Sequence, residues 1–169
     1  MATFSEDKQY RYRLWRHWDL TKPCVLFIMM NPSTANENRD DRTIRIIKEH
    51  ATAWEFGGMF IGNLYARCCS NSTTARKIIN PNERDYANED NIREMVKMCE
   101  KVVYAWGTKG PLLKSQRVPG WLHEIVGESA YCMETTKKEK IPKHPGQRVP
   151  NIMEVKEAPT QYAENLCSR

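Results

Sequence analysis

CVLFIMMNPSTAN, residues 24–36, is the stretch of sequence that decides the fold. Residues 24–30 carry no charge, which predicts a fully buried strand covered on both faces of its sheet. The polar turn that follows, Asn31-Pro32-Ser33-Thr34, ends the strand and supplies side chains suited to capping a helix. Because α/β proteins place ligand sites at the carboxyl ends of strands, this turn is the first place where we expect a site.

Strands and helices alternate along the rest of the chain. Residues 41–54 have apolar side chains at helical spacing, and 59–64, 101–106 and 130–134 are short apolar runs typical of strands. Further helices are expected within 81–99 and over 121–126. This alternation predicts an α/β domain with a parallel sheet and helices on both of its faces.

The length of 169 residues suits one domain, which we place at residues 1–150. Residues 151–169 are polar and weakly periodic, so we expect a loosely held tail or a short closing helix there. The chain shows no apolar run long enough to span a bilayer, no secretory signal, and six cysteines without disulfide-like spacing. These features predict a cytoplasmic location with reduced cysteines and no membrane partner.

The net charge of +5 and the pI of about 8.9 permit an anionic partner such as DNA or a nucleotide, without proving one. Residues 8–18 alternate aromatic with basic side chains. The pattern favours a half-buried edge strand, because that is what alternation builds. The alternative is a basic surface whose aromatic rings stack on nucleobases.

Polar turns follow three of the predicted strands, and a fourth polar turn contains His144-Pro145. In a parallel sheet these turns meet at one edge, where backbone N–H groups at helix starts suit an anion. Each residue taken alone also has a structural explanation, since Asn31 forms turns well and Arg67 suits a solvated surface. Their common position at one edge is what favours a functional site.

Several classes of site are absent from the sequence. There is no G-x-S-x-G, no G-x-x-x-x-G-K-[ST] and no G-x-G-x-x-G, so nucleotide binding through those loops is unsupported. The cysteines and histidines lack the paired spacing of a zinc site. We therefore expect no metal and no cofactor.

Six motifs occur in order over roughly residues 10–150 and resemble the bacterial and phage family catalogued as domain of unknown function 1643. The motifs are RYRLWRHWD, LFIMMNPSTAN, DDRTIR, GNLYAR, VVYAWGTKG and PKHPG. More distantly, the order of an Asn-Pro turn, a strand ending in Asn, a strand ending before Gly and a His-Pro turn is similar to the uracil-DNA glycosylase superfamily. That resemblance implies a three-layer α/β/α fold with a central, mainly parallel sheet of four strands.

The glycosylase resemblance also implies roles for two residues. Asn31 matches the residue that positions the attacking water, and His144 matches the residue that donates a hydrogen bond to the departing base. Cleaving an N-glycosidic bond develops negative charge on the base, which is where a donor helps most. Because Asn orients water but is not a base, catalysis would be slower than with Asp. The flipped base needs a pocket and often an aromatic wall, for which we nominate Tyr65 or Trp106.

Asp41 has two readings: an acid–base group in the cleft, or a charge that favours the start of the next helix. Arg148 follows the His-Pro turn where the glycosylases carry a wedge, and we expect it to contact a phosphate. The residues predicted to bind the substrate are Pro32, Ser33, Thr34, Asn63, Tyr65, Arg67, Trp106, Gly107 and Arg148.

Three functions remain open at this point. The first is a glycosylase-like hydrolase that acts on a nucleobase in DNA or in a nucleotide. The second is a module of the same fold that binds nucleic acid or nucleotides without cleaving them. The third is a transferase that modifies nucleic-acid bases, which would need a cosubstrate although no recognisable cofactor loop is present.

Overall fold

The computed structural model describes residues 1–33, 35–36, 38–80, 83–108, 118–137, 141–146 and 156–157. Over these residues the chain forms seven strands and four helices. In chain order they are β1 (Ala2–Phe4), β2 (Arg11–His17), β3 (Cys24–Met29), α1 (Arg42–Ala53), β4 (Gly58–Asn63), α2 (Ser72–Ile78), α3 (Tyr86–Met98), β5 (Lys101–Tyr104), α4 (Gly120–Val126), β6 (Ala130–Cys132) and β7 (Lys156–Glu157).

The strands form one sheet in the order β1-β2-β4-β3-β5-β6-β7. Strands β4, β3, β5 and β6 run parallel to their neighbours within this group, whereas β2 is antiparallel to β4, β1 to β2 and β7 to β6. The predicted α/β class is confirmed. The sheet itself is mixed and, within the described residues, larger than the mainly parallel sheet of four that was expected. The difference arises because apolar periodicity reveals a strand but not its direction.

Side chains of β3 alternate between two cores, one on each face of the sheet. Val25, Phe27 and Met29 pack into the core that contains α1, whereas Leu26 and Ile28 pack into the core that contains α3 and α4. All five side chains are buried, as expected for a strand covered on both faces. The helices therefore form layers on both sides of the sheet.

Strand β2 lies inside the sheet, between β1 and β4, and it contains an irregularity at Tyr12. Thr3 pairs with Arg13 but Phe4 pairs with Arg11, so Tyr12 is skipped as in a β-bulge. Because β2 is antiparallel to β4, its first residues lie at the carboxyl end of β4, where the Arg11 N–H donates to Ala66 O at 2.9 Å. The N-terminal strand thus contributes side chains to the edge where a site was expected.

Side chains cap three of the helices at their starts. Asp41 Oδ1 accepts from the backbone N–H of Ile44 at 3.0 Å at the start of α1, and Asp85 Oδ1 accepts from that of Asn88 at 3.0 Å at the start of α3. Helix α2 begins at an Asn71 cap and was not predicted, since its polar sequence has no apolar stripe.

The tail contributes a strand to the sheet. Residues 156–157 form β7 beside β6, where a tail or a closing helix was expected, and residues 151–155 and 158–169 lie outside the described part of the chain. Among the residues that the structure describes, no helix is both long and apolar enough to cross a membrane.

Candidate functional site

Backbone hydrogen bonds join the turns at the carboxyl edge of the sheet. The N–H groups of Leu64 and Tyr65, which follow β4, donate to the carbonyls of Met29 and Met30 at the end of β3, at 2.8 and 3.0 Å. The Gly107 N–H, after β5, donates to Pro142 O at 3.0 Å. The turns after β3, β4 and β5 and the segment 141–146 therefore share this edge.

Asn31 ties two of these turns together. It is half-buried, and its Nδ2 donates to Pro32 O at 3.0 Å and to Cys69 O at 3.1 Å. The Cys69 N–H in turn donates to Pro32 O at 2.8 Å. One amide proton of Asn31 thus joins the turn after β3 to the loop after β4 and the other bonds within its own turn, and together they fix the orientation of the side chain.

A cavity of about 420 Å³ opens between that loop, the start of α3 and the start of α4. This volume lies in the range of small-molecule sites. Its walls are rich in aromatic rings, which come from Tyr10, Tyr12, Tyr65, Tyr86 and Trp121. Two of the predicted substrate-binding residues, Tyr65 and Arg67, line this cavity.

Two arginines stack on aromatic rings at the cavity. The Arg67 Cζ lies 5.3 Å from the centre of the Tyr10 ring, and Arg67 Nη1 donates to Tyr10 Oη at 3.1 Å. The Arg84 Cζ lies 5.0 Å from the centre of the Tyr86 ring. Burial raises the pKa of Tyr65 to about 12, so its hydroxyl stays protonated at neutral pH. Stacked guanidinium and aromatic groups of this kind suit planar ligands.

The first turn of α3 places Asn88 and Glu89 at the cavity, 1% and 4% exposed. Asn88 Nδ2 donates to the backbone Asn63 O at 2.9 Å, while its buried Oδ1 has no hydrogen-bond partner within the described residues. Glu89 receives two bonds from Arg84, at 2.9 Å from Nε and 2.5 Å from Nη2. Sequence reasoning missed both residues; the one available signal was two polar residues where the apolar stripe of the helix begins.

Asn63 and Trp106, both predicted to bind the substrate, are buried at the ends of their strands. They are 1% and 2% exposed. Neither the side-chain amide of Asn63 nor the Trp106 Nε1 has a hydrogen-bond partner in the part of the chain that the structure describes. Pro32 and Gly107 are buried as well, and Ser33 is exposed.

Asp41 and His144 lie near the first turn of α1. His144 Nδ1 accepts from the Gly146 N–H at 2.9 Å, and a methyl group added at Gly146 would lie 4.0 Å from Thr43 Oγ1 in the first turn of α1. Asp41 caps that same turn. The structure therefore brings these two residues into one region, but neither lines the cavity that holds Tyr65 and Arg67. Thr34 and Arg148 lie outside the described residues.

Arg11 is a buried cation at this edge that the sequence analysis did not single out. It is 3% exposed, and its Nη1 donates to Ala35 O at 2.6 Å. Burial lowers its pKa to about 10, and the nearby Cys68 and Asp41 partly offset that effect. Alternation in 8–18 suggested a basic residue on an exposed face, whereas the bulge in β2 turns this one inward.

Among the described residues, no three His, Cys, Asp or Glu side chains are arranged to hold a metal ion. The fold and the site define an α/β protein with an aromatic cavity at the carboxyl edge of a mixed sheet. The sequence profile of the family described as "Protein of unknown function (DUF1643)" matches residues 11–146. The chain therefore belongs to this family. No curated protein and no solved structure matches the chain.

Proposed function

We propose that this protein binds a nucleobase, in DNA or in a nucleotide, in the aromatic cavity and hydrolyses its N-glycosidic bond. The observation that carries the proposal is the cavity itself. It lies at the carboxyl edge of the sheet, it has aromatic walls and two stacked arginines, and hydrogen-bond acceptors are buried beside it. A planar base needs such a combination of stacking faces and oriented polar atoms.

The resemblance to the glycosylases supplies the proposed chemistry. Asn31 orients the attacking water: with both amide protons held by backbone carbonyls, Oδ1 is the atom left to accept from that water. His144 lies outside the lining of the cavity, so in this proposal it stabilises the departing base from the turn at residues 144–146, which the base edge must reach. The His144 Nδ1 accepts from the Gly146 N–H, so the neutral ring carries its proton on Nε2, the form that donates from that atom. Donation to the growing negative charge on the base is the step that this group would accelerate.

Base release tests the proposal directly. Purified protein is incubated with oligonucleotides and nucleosides that carry deaminated or modified bases, together with hypermodified phage DNA, and free base is measured by chromatography. We expect release that falls by about 100-fold in His144→Ala, the size of effect seen when one donor to a developing charge is removed. Arg93→Ala, in a surface ion pair with Asp90 that does not line the cavity, is the control and should keep its activity. Failure to release base from any substrate would rule out the hydrolase.

A second function, binding without cleavage, is favoured by two specific observations. Both amide protons of Asn31 are committed to backbone carbonyls, which is a structural role, and neither Asn31 nor His144 is among the described residues that line the cavity. A pure binding module would bind DNA with strong salt dependence, release no base, and keep its affinity in His144→Ala. Fluorescence anisotropy with a labelled oligonucleotide separates this outcome from hydrolysis.

A further inference from the structure

The polar atoms buried at the cavity are hydrogen-bond acceptors. Asn88 Oδ1, in a residue that is 1% exposed, has no donor among the described residues, whereas the two carboxylate oxygens of the 4% exposed Glu89 accept from Arg84. A buried acceptor that loses its donor is unfavourable, so a ligand that takes the place of Arg84 at Glu89 gains most by bringing N–H groups.

The orientation of the Asn88 amide follows from its partner. A backbone carbonyl accepts and cannot donate, so the atom 2.9 Å from Asn63 O must be Nδ2. The amide therefore cannot rotate to present its NH₂ group without losing that bond. Asn88 offers an acceptor only.

Arg84 donates one N–H bond to each carboxylate oxygen of Glu89. The arginine side chain is 50% exposed, whereas that of Glu89 is 5% exposed. The arginine therefore reaches in from the surface to a fixed, buried partner, and it has room to swing out. A planar group with two adjacent N–H donors fits the same carboxylate in the same bidentate manner.

We infer that the cavity selects a nucleobase with adjacent N–H donors on one edge, the pattern that guanine presents through N1–H and its exocyclic N2 amine, and that this edge displaces Arg84 from Glu89. The inference rests on the proposed function and names its substrate class. Guanine offers three N–H bonds on this edge. Adenine and cytosine offer an amine next to a ring acceptor, and uracil offers one N–H between two carbonyls. Each of these bases therefore leaves one carboxylate oxygen of Glu89 unpaired or places another acceptor against it.

The charges around the cavity agree with recognition of a base rather than of a phosphate. Arg67 and Arg84 are opposed by three carboxylates, those of Glu83, Asp85 and Glu89. A lining that is balanced or slightly negative does not attract a phosphate group into the cavity. The nucleoside portion is therefore the part that enters.

Nucleoside binding tests the inference, with titration calorimetry as the readout, supported by intrinsic tryptophan fluorescence to which Trp121 at the cavity contributes. We expect guanosine to bind at least about tenfold more tightly than inosine, which lacks only the N2 amine, and more tightly than adenosine or uridine. Glu89→Gln places an amide NH₂ against the donors of the base, so it should reduce guanosine affinity to about the level of inosine.

Arg84→Ala removes the competing guanidinium, so guanosine should bind several-fold more tightly, an effect that a purely structural role for Arg84 would not produce. Arg93→Ala is the matched control, because Arg93 pairs with Asp90 at the surface of the same helix and does not line the cavity. Circular dichroism melts confirm that each variant is folded. If Glu89→Gln does not fold, the guanosine-to-inosine ratio and Arg84→Ala decide the question.

The outcomes separate this inference from the proposed function. If no nucleoside binds, the proposed function fails and the inference fails with it. If nucleosides bind but adenosine or uridine binds as tightly as guanosine, or Arg84→Ala weakens guanosine binding, the selection of a donor-rich edge is overturned while base binding stands.

Discussion

Asn31 shows how one side chain can belong to both a structural and a chemical hypothesis. The sequence singled it out because it ends a buried strand, and the structure shows its amide bridging two turns. A residue in this position holds the edge in shape whether or not it also orients water. Stability and base release must therefore be measured on the same variants.

Asn31→Ala removes both bonds to backbone carbonyls and leaves those carbonyls without that donor. We expect the free energy of unfolding to fall by about 2 kcal/mol, as for a lost pair of partly buried hydrogen bonds. Urea denaturation followed by circular dichroism measures the change. Ser33→Ala, at an exposed neighbour, should change stability by less than about 0.5 kcal/mol. Equal stability of the two variants would mean that the amide is not a structural tie.

Because of Tyr65, we expect the free energy of unfolding to fall at alkaline pH. The pKa of Tyr65 is about 12 in the folded protein and 10.0 in the absence of the fold, so the folded state holds the proton more tightly. The stabilisation that comes from the neutral phenol is complete below pH 10 and is lost as the pH rises through 12. Tyr65→Phe should therefore show a smaller fall in unfolding free energy between pH 10 and 12, and it should lack the tyrosinate absorbance step near pH 12. Tyr86→Phe, whose ring is 66% exposed, is the control that should keep that step.

At the residue scale the sequence located the edge and its buried Asn63, but not the other buried polar groups there. Tyr65 and Arg67 were predicted because they follow a strand, a position that the pattern of one chain segment reveals. The burial of Arg11, Asn88 and Glu89 depends on which distant segments cover them. That information lies in tertiary packing and not in local periodicity.

At the scale of elements, the apolar runs predicted where strands and helices lie but not how they run. Strand β3 and helix α1 end within a residue or so of expectation, since their patterns are continuous and strongly periodic. The antiparallel direction of β2 was not predictable, because alternation indicates a strand but not its direction, and the polar helix α2 was not predictable because it has no apolar stripe. Residues 8–18 were predicted to form an edge strand, whereas β2 lies inside the sheet between β1 and β4.

Helix α1 offers a test of the two readings of Asp41. The carboxylate caps the helix by accepting from the Ile44 N–H. Asp41→Ala should lower the free energy of unfolding by about 1 kcal/mol, whereas Asp41→Asn, an equally good cap, should change it little. If capping is its main role, Asp41→Asn also keeps base release. A folded Asp41→Asn protein without base release would instead establish the acid–base role.

At the scale of the whole molecule, the net charge of +5 is not concentrated at the cavity, whose lining has more carboxylates than arginines. Phosphate contacts therefore belong to surfaces outside it. We expect nucleoside affinity to change less than twofold between 50 and 200 mM salt, and single-stranded oligonucleotide affinity to fall by about tenfold or more if three phosphates are contacted. Calorimetry and anisotropy at several salt concentrations measure both. A steep salt dependence for the uncharged nucleoside would contradict this separation.

The antiparallel course of β2 has a consequence for when the cavity is completed during folding. The cavity takes Tyr10 and Tyr12 from the start of the chain, Glu89 from its middle and Trp121 from more than a hundred residues after the first. Contacts between segments so far apart in sequence form late, because the intervening chain must first be ordered. During synthesis, β2 can pair only after β4 has been made, and the cavity can be completed only after α4 has been made. The cavity is therefore completed late in synthesis, and a truncated chain that ends before α4 would lack the Trp121 wall of the cavity.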